Sequence, residues 1–298
     1  MTALRYARKA VLALVGLAVL IGLWELYKSL GPARGGTLFG VPIWARAGNA
    51  AMPHVTSVID AFGAQEVGGA TIVRGSTAPT VFESVLSAAG NSLLWAGVGF
   101  AIGVVVGLGL ALVMDRLQVL ERALLPWIVL SQTVPLIALA PLVTGWGNGL
   151  SIGPLEWQRW MSVSLIAGYL AFFPVAVGMA RGLKSPGAVP TEYFRSVNAG
   201  WWQTLTRLKL PASVPFLVPA LRLAAAGAVV GTVVGEISIG LEGGIGRLII
   251  SYSQGATGDP SRVYTAVIGA AALGLVTAAI VTLFDLALRR YQRTGNAS

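Results

Sequence analysis

The sequence predicts an all-α membrane protein with about six transmembrane helices, on the strength of its composition, its long uncharged runs and its distribution of basic residues. Of 298 residues, 55% are hydrophobic and 11% are charged, whereas soluble domains carry about 25% charged residues. That leaves too little polar surface to cover a water-soluble globule. A helix needs about 20 apolar residues to cross the roughly 30 Å hydrocarbon core. Residues 84–114, 123–155, 160–180 and 263–284 reach that length without a single charge. Cysteine is absent and histidine occurs once, which excludes disulfides, thiolate chemistry and clustered His/Cys metal sites.

The first span is short, 11–24, but it ends in Trp24, Glu25 and Tyr27, and aromatic residues suit the membrane interface. Arg5, Arg8 and Lys9 before an apolar run also fit a signal peptide; no convincing small-x-small cleavage site follows, so the segment is read as a retained span. The connection 31–83 is rich in Gly, Pro and Thr, with a helical pattern at 53–62, and predicts an ordered external cap with a small helix. Together these form an N-terminal region, 1–83. The transmembrane core runs over 84–288. Within it, Gly147, Gly149, Gly153 and Pro154, next to Gly145, predict an irregular stretch at 146–158, at the outer surface or dipping partly into the membrane. The fifth span, 210–235, is interrupted only by Arg222. A polar loop, 181–211, separates the fourth and fifth spans, and 289–298 is a tail.

Basic residues set the orientation. With six spans and the N-terminus inside, thirteen Lys and Arg fall on the inner side: Arg5, Arg8, Lys9, Arg116, Arg122, Arg181, Lys184, Arg195, Arg207, Lys209, Arg289, Arg290 and Arg293. Seven fall outside: Lys28, Arg34, Arg46, Arg74, Arg159, Arg247 and Arg262. Three of the seven lie in a long loop, where the positive-inside rule weighs little. Both termini are therefore expected in the cytoplasm. The net charge of +9 then reports orientation, with no nucleic-acid partner implied.

Gly99, Gly103 and Gly107 recur every fourth residue in the second span, as do Gly227, Gly231 and Gly235 in the fifth. Each series makes a smooth helix face that admits another backbone, within one subunit or between subunits. Charges inside spans are costly and mark functional candidates. Glu236, at the outer end of the fifth span, is one. Asp285 and Arg289 are spaced to pair on one helix face. Asn91, Gln132 and Thr133 are uncharged but, with Glu236, are the candidates for lining or gating a pathway; hydrogen bonding between helices is the competing role. A chain of buried acids and histidines, as in a proton-driven carrier, is missing, and so is a phosphate-binding G-x-x-x-x-G-K-[ST] loop. If nucleotide hydrolysis drives transport, another polypeptide hydrolyses.

The loop reads K-S-P-G-A-V-P-T-E-Y-F-R-S-V-N-A-G-W-W-Q-T-L-T-R-L-K-L-P-A. Pro186 and Pro190 are expected to break the preceding helix, with Thr191 as N-cap. Tyr193, Phe194, Val197, Trp201, Leu205 and Leu208 follow at helical spacing, which predicts a short amphipathic helix, or two with a bend at Gly200. A helix lying on the membrane surface is the alternative.

This loop resembles the signature of permease subunits of binding-protein-dependent ABC importers: E-A-A, three residues, G, nine residues, I, one residue, L-P. Glu192 falls on the E, Asn198 on the G, Leu208 on the I, and Leu210 and Pro211 on the L-P, while Tyr193 and Phe194 replace the two alanines. Asn tolerates positive φ better than most residues, as the glycine does. Similarity to the nitrate, sulfonate and taurine branch extends to Met52-Pro53, Leu125-Pro126, Gln132-Thr133-Val134-Pro135 with Ala140-Pro141-Leu142, and Gly235-Glu236 before a Gly-Gly-Ile-Gly turn. That branch also includes permeases for pyrimidine thiamine precursors and riboflavin.

The resemblance implies a type I ABC importer permease (MetI-like) architecture in a bacterial inner membrane. It implies a non-catalytic subunit with no cofactor of its own, two ATPase subunits carrying ATP-Mg, a second permease as a homodimer mate, and an external solute-binding protein. The solute would be a small anion such as a sulfonate, nitrate or taurine, or a pyrimidine-like vitamin precursor. Coupling to the ATPase would fall to Glu192, Tyr193, Phe194, Arg195, Val197, Asn198, Ala199, Gly200, Trp201, Leu208, Leu210 and Pro211. Tyr193, Phe194, Val197 and Trp201 would be its apolar knobs, Glu192, Arg195 and Arg207 its rim, and Pro190 and Pro211 the stops of a rigid lever. An ATPase-independent secondary transporter or channel predicts midplane ionisable residues or paired broken helices. A membrane-embedded enzyme needs converging catalytic groups, which a lone His54 does not provide.

Overall fold

A computed structural model of the chain describes residues 2–38, 41–66, 78–152, 155–255 and 258–292. The chain divides into two compact units, residues 1–86 with 249–268, and residues 87–248 with 269–298.

The first unit contains α1 (Thr2–Leu30), the hairpin β1 (Gly36–Leu38) and β2 (Val41–Trp44), and α2 (Val55–Gly63). The sequence-predicted small helix is thus present, two residues later than its pattern begins. The end of α1 holds the following segment through polar side chains. Trp24 Nε1 donates to Pro53 O at 3.1 Å and Tyr27 Oη to Ala45 O at 2.9 Å. Lys28 Nζ donates to Ala47 O and to Asn49 Oδ1, and Glu25 Oε1 accepts the Val55 N–H. Most of these acceptors are loop carbonyls, so long polar side chains at one helix end satisfy backbone that has no ladder of its own. Tyr252 donates to Glu66 at 2.8 Å, and burial together with that carboxylate pushes its phenol above the ordinary range. Arg74, the Gly153-Pro154 pair and the side chains of Asp285 and Arg289 lie outside the described residues.

The second unit is built from the rest of α3 (Val81–Arg116), then α4 (Gln118–Ser131), α5 (Leu136–Gly147), the hairpin β3 (Ser151–Ile152) and β4 (Leu155–Glu156), and α6 (Arg159–Leu183). There follow α7 (Ala188–Ser196), α8 (Trp201–Thr204), a π-helical turn Leu205–Lys209, and α9 (Leu210–Ile239). After these come α10 (Ile245–Gln254) and α11 (Ser261–Gln292), which the two units share. Among the described residues of the stretch expected to be irregular, 146–158, are the end of α5 and the antiparallel pair β3–β4.

α6 is the centre of this unit, because small residues let α3 and α9 approach it from two sides. A Cβ on Gly99 would meet Ala167 Cβ at 2.4 Å, one on Gly103 Ala171 Cβ at 2.5 Å, and one on Gly107 Phe172 O at 2.7 Å. On the α9 side, a Cβ on Gly231 would meet Ala167 Cα at 2.9 Å, and one on Gly227 Leu170 O at 3.2 Å. Both glycine series therefore pack within the chain. Ala167, Ala171, Val175, Ala224 and Ala228 form the shared core.

Among the described residues, five helices are long and apolar enough to cross a membrane, and α4 with α5 makes a sixth candidate bent by 105°. The expected third span, 123–155, is therefore not one helix. Gln132, Thr133 and Val134 each bond back three residues, and Pro135 caps α5 without an N–H to continue α4. The bent pair leads from one end of α6 toward the other. Glu121 at its start pairs with Lys184 at the end of α6, whereas Ala140 and Val143 in α5 pack with Ile166 and Trp157 near the opposite end of α6.

Candidate functional site

The loop between α6 and α9 is a sequence of helix terminations, each with its own chemical cause. Lys184 closes α6, and Ser185 Oγ donates to Gly182 O and Ala212 O. The cap of α7 is Gly187, and Thr191, expected in that role, lies inside the first turn with its Oγ1 donating to Gly187 O at 2.9 Å. Pro190 sits in that turn too, where its missing N–H costs nothing because first-turn donors have no intrahelical partner.

α7 ends in a Schellman motif. Ala199 N–H donates to Phe194 O and Asn198 N–H to Arg195 O, both at 2.9 Å, with Asn198 at φ 52°. Asn198 is the only non-glycine residue at positive φ among the described residues. The departure from glycine at this signature position therefore preserves the conformation that the position demands. Gly200 then caps α8, its N–H bonded to Gln203 Oε1, so the loop has two helices with the turn centred one or two residues before the predicted bend at Gly200.

Pro211 does not stop the helix. The π turn carries α8 directly into α9, and Leu210 N–H reaches back five residues to Leu205 O. A widened turn just before Pro211 accommodates a residue that has no N–H to donate and whose ring crowds the carbonyl four residues back. The lever is therefore continuous with a membrane-length helix, 39 residues from Trp201 to Ile239.

Apolar side chains of the loop divide between two directions. Tyr193, Val197 and Trp202 are 64%, 56% and 67% exposed, and Val189 is exposed beside them. Glu192, Arg195 and Arg207 surround them as exposed charges, and Phe194 and Ala199 are half-buried. Leu205 is buried among Ala111, Met114, Ile128, Met179 and Leu183, with Leu210 and Trp201 packed against that cluster. Leu208 is half-buried. Trp201, expected as an outward knob, turns to the end of α3: its Nε1 donates to Asp115 Oδ2 at 3.2 Å and the Arg116 guanidinium lies 5.2 Å from its ring centroid. Lys209 Nζ reaches the other oxygen, Asp115 Oδ1, at 2.6 Å. Trp202 and Val189 are exposed as well, and helical spacing alone assigned neither.

The pathway candidates fall in two places. Glu236 is fully buried, so it lines no open channel here. Ser92 Oγ donates to its Oε1 at 2.6 Å and Gly246 N–H to its Oε2 at 2.7 Å, while Ile245 N–H donates to Ser92 Oγ. A Cβ on Gly244 would strike this carboxyl at 2.4 Å, which explains the glycine at that position. Asn91 Nδ2 donates to Gly243 O at 2.9 Å, so it fastens the same loop. Gln132 and Thr133 are exposed at the α4–α5 bend, Thr133 Oγ1 bonded to Leu130 O.

Residues 99–293 match the family described as binding-protein-dependent transport system inner membrane component. The chain belongs to this family. It is 38% identical over 139 residues to the formylaminopyrimidine transport permease protein of Halalkalibacterium halodurans, covering 47% of this chain and 52% of the relative. It is 26% identical over 242 residues to a putative aliphatic sulfonates transport permease protein of Bacillus subtilis, covering 77% of this chain and 83% of the relative. A riboflavin transport system permease protein of Chloroflexus aurantiacus is 31% identical over 172 residues, covering 56% of each chain. The chain thus spans about half the length of two of these relatives. Its fold is shared with the crystal structure of an amino acid ABC transporter with histidines, at TM-score 0.52 and 18% identity, over 70% of this chain and 94% of that one.

Proposed function

We propose that this inner-membrane chain is the permease subunit of an ATP-driven importer, and that α7, the Schellman turn and α8 form the surface that an ATPase subunit engages. The observation that carries the reading is an exposed apolar face of Val189, Tyr193, Val197 and Trp202 on a segment anchored by Asp115 and Lys184. An aromatic-rich patch ringed by charges is the composition of a protein interface core with its rim. Glu192, Arg195, Asn198, Ala199 and Gly200 shape or edge this patch, and Phe194, Trp201, Leu208, Leu210 and Pro211 hold it to the body.

In the active unit two permeases, two ATPases carrying ATP-Mg and an external binding protein act together, with both termini of this chain in the cytoplasm. The permease itself holds no cofactor. The named transport substrates of the relatives, a formylaminopyrimidine, aliphatic sulfonates and riboflavin, make small organic solutes the first to test. An ATPase-independent carrier is not favoured, given the family.

The test is purification of the full chain from its native membrane. An ATPase is expected to accompany it, and Tyr193→Asp with Val197→Asp is expected to release that ATPase while the permease stays folded. Retention of the ATPase by the double variant would rule out this docking face.

A further inference from the structure

We infer that Asp115 is a positioning residue for coupling: one carboxylate that ties both ends of the α8–π segment to α3, so that displacement of the loop moves a membrane-crossing helix. The inference rests on the coupling reading above and concerns a residue outside the loop. Its side chain is 5% exposed, and its two oxygens are divided between Trp201 Nε1 at 3.2 Å and Lys209 Nζ at 2.6 Å. Trp201 precedes the π turn and Lys209 ends it, and Leu205 between them is 1% exposed. Three points therefore fix the segment against the unit, while Trp202, next to Trp201, faces outward.

The chemistry argues for position over stability. Burying an ion pair sacrifices the hydration of both charges, and an apolar pair of similar size packs at least as well. What a carboxylate adds is direction, because charge-assisted hydrogen bonds hold donors to defined angles. The arrangement also keeps Trp201 and Lys209 together across a π turn, a geometry frequent at functional sites. α9 already runs continuously from the segment. Through Asp115, α3 is driven by it as well, and α3 packs against α6 by way of Gly99, Gly103 and Gly107.

The experiment uses the full complex in lipid nanodiscs, with a bimane fluorophore on Val113→Cys, the only cysteine this chain then carries. Val113 is 44% exposed and lies two residues from Asp115. MgATP with vanadate is expected to shift the label's emission in the parent complex. Asp115→Asn is expected to keep the bound ATPase and its hydrolysis but to diminish that shift by about fivefold or more, the scale of an ordinary coupling between sites. Asp115→Glu is expected to restore it, and Lys209→Gln, which leaves the Trp201 bond, to give an intermediate loss. A full shift in Asp115→Asn overturns the inference. So does loss of the ATPase from both Asp115 variants, which would mean that the carboxylate only folds the loop. A parent complex that binds no ATPase, or gives no shift, overturns the coupling reading itself.

Discussion

At the scale of single residues, the loop depends on one backbone conformation. Asn198 sits at φ 52° because the Schellman turn requires its peptide to reverse direction there. Glycine adopts that region without strain, asparagine with little, and a β-branched side chain at a cost of about 1–2 kcal/mol. Asn198→Gly is therefore expected to leave the detergent-solubilised protein as stable as the parent. Asn198→Val should lower its unfolding midpoint and weaken ATPase retention, even though residue 198 itself is not part of the apolar face. Equal midpoints for the two variants would contradict the turn geometry. The same residue shows what sequence reading achieves: its tolerance of positive φ was legible from residue type and motif position together. Thr191 was not, because a threonine after a proline fits an N-cap and a first-turn position equally well until Gly187 is seen to take the cap.

At the scale of elements, the helix contacts come from small residues and the breaks from prolines, but neither rule is sufficient by itself. Gly103 lies where a Cβ would meet Ala171 Cβ at 2.5 Å and Gly168 O at 2.8 Å, whereas a Cβ on Gly97 meets nothing within 4 Å. Backbone cannot move aside as a flexible side chain can, so Gly103→Ala is expected to cost about 1–3 kcal/mol through overpacking. Gly97→Ala in the same helix should be neutral or stabilising by about 0.5–1 kcal/mol, since it only removes backbone freedom. Thermal unfolding of both variants in one detergent checks the difference, and a loss of similar size at the two sites would refute the packing of α3 on α6. Prolines are less legible. Pro126 and Pro141 lie within helices, while Pro135 coincides with a 105° break, because only there do three successive short-range turns end the preceding helix. Pro211 was read as a stop and is instead absorbed by a π turn, a device with no sequence signature in the residues themselves.

At the scale of the whole molecule, the membrane-length apolar helices and the interrupting loop were legible because charge and length are properties of the chain. Which apolar face points inward was not, since lipid and protein core favour the same side chains. Asp115 was invisible for a related reason: its partners are 86 and 94 residues away, and a charge at a helix end looks like an ordinary interface residue. Sidedness is the remaining global property, and it follows from combining the two kinds of information. The Asp115–Trp201 and Lys184–Glu121 contacts put the ends of α3 and α6, the start of α4 and the loop at one face of the second unit. That face carries Arg116, Arg122, Arg181, Lys184, Arg195, Arg207 and Lys209, and the positive-inside rule predicts that it faces the cytoplasm. The turn after α5 then lies on the other side, since the bent pair leads from Glu121 to the far end of α6. Because the chain contains no cysteine, single introduced cysteines report this directly. A membrane-impermeant maleimide is expected to label Asn148→Cys in spheroplasts with intact membranes, and Val189→Cys only after permeabilisation. Both positions are exposed in the chain alone, and cells that lack the ATPase leave Val189 uncovered, so silence at either reflects the barrier and not burial. The reverse pattern would invert the orientation and place the exposed aromatic face of the loop where no cytoplasmic ATPase could reach it.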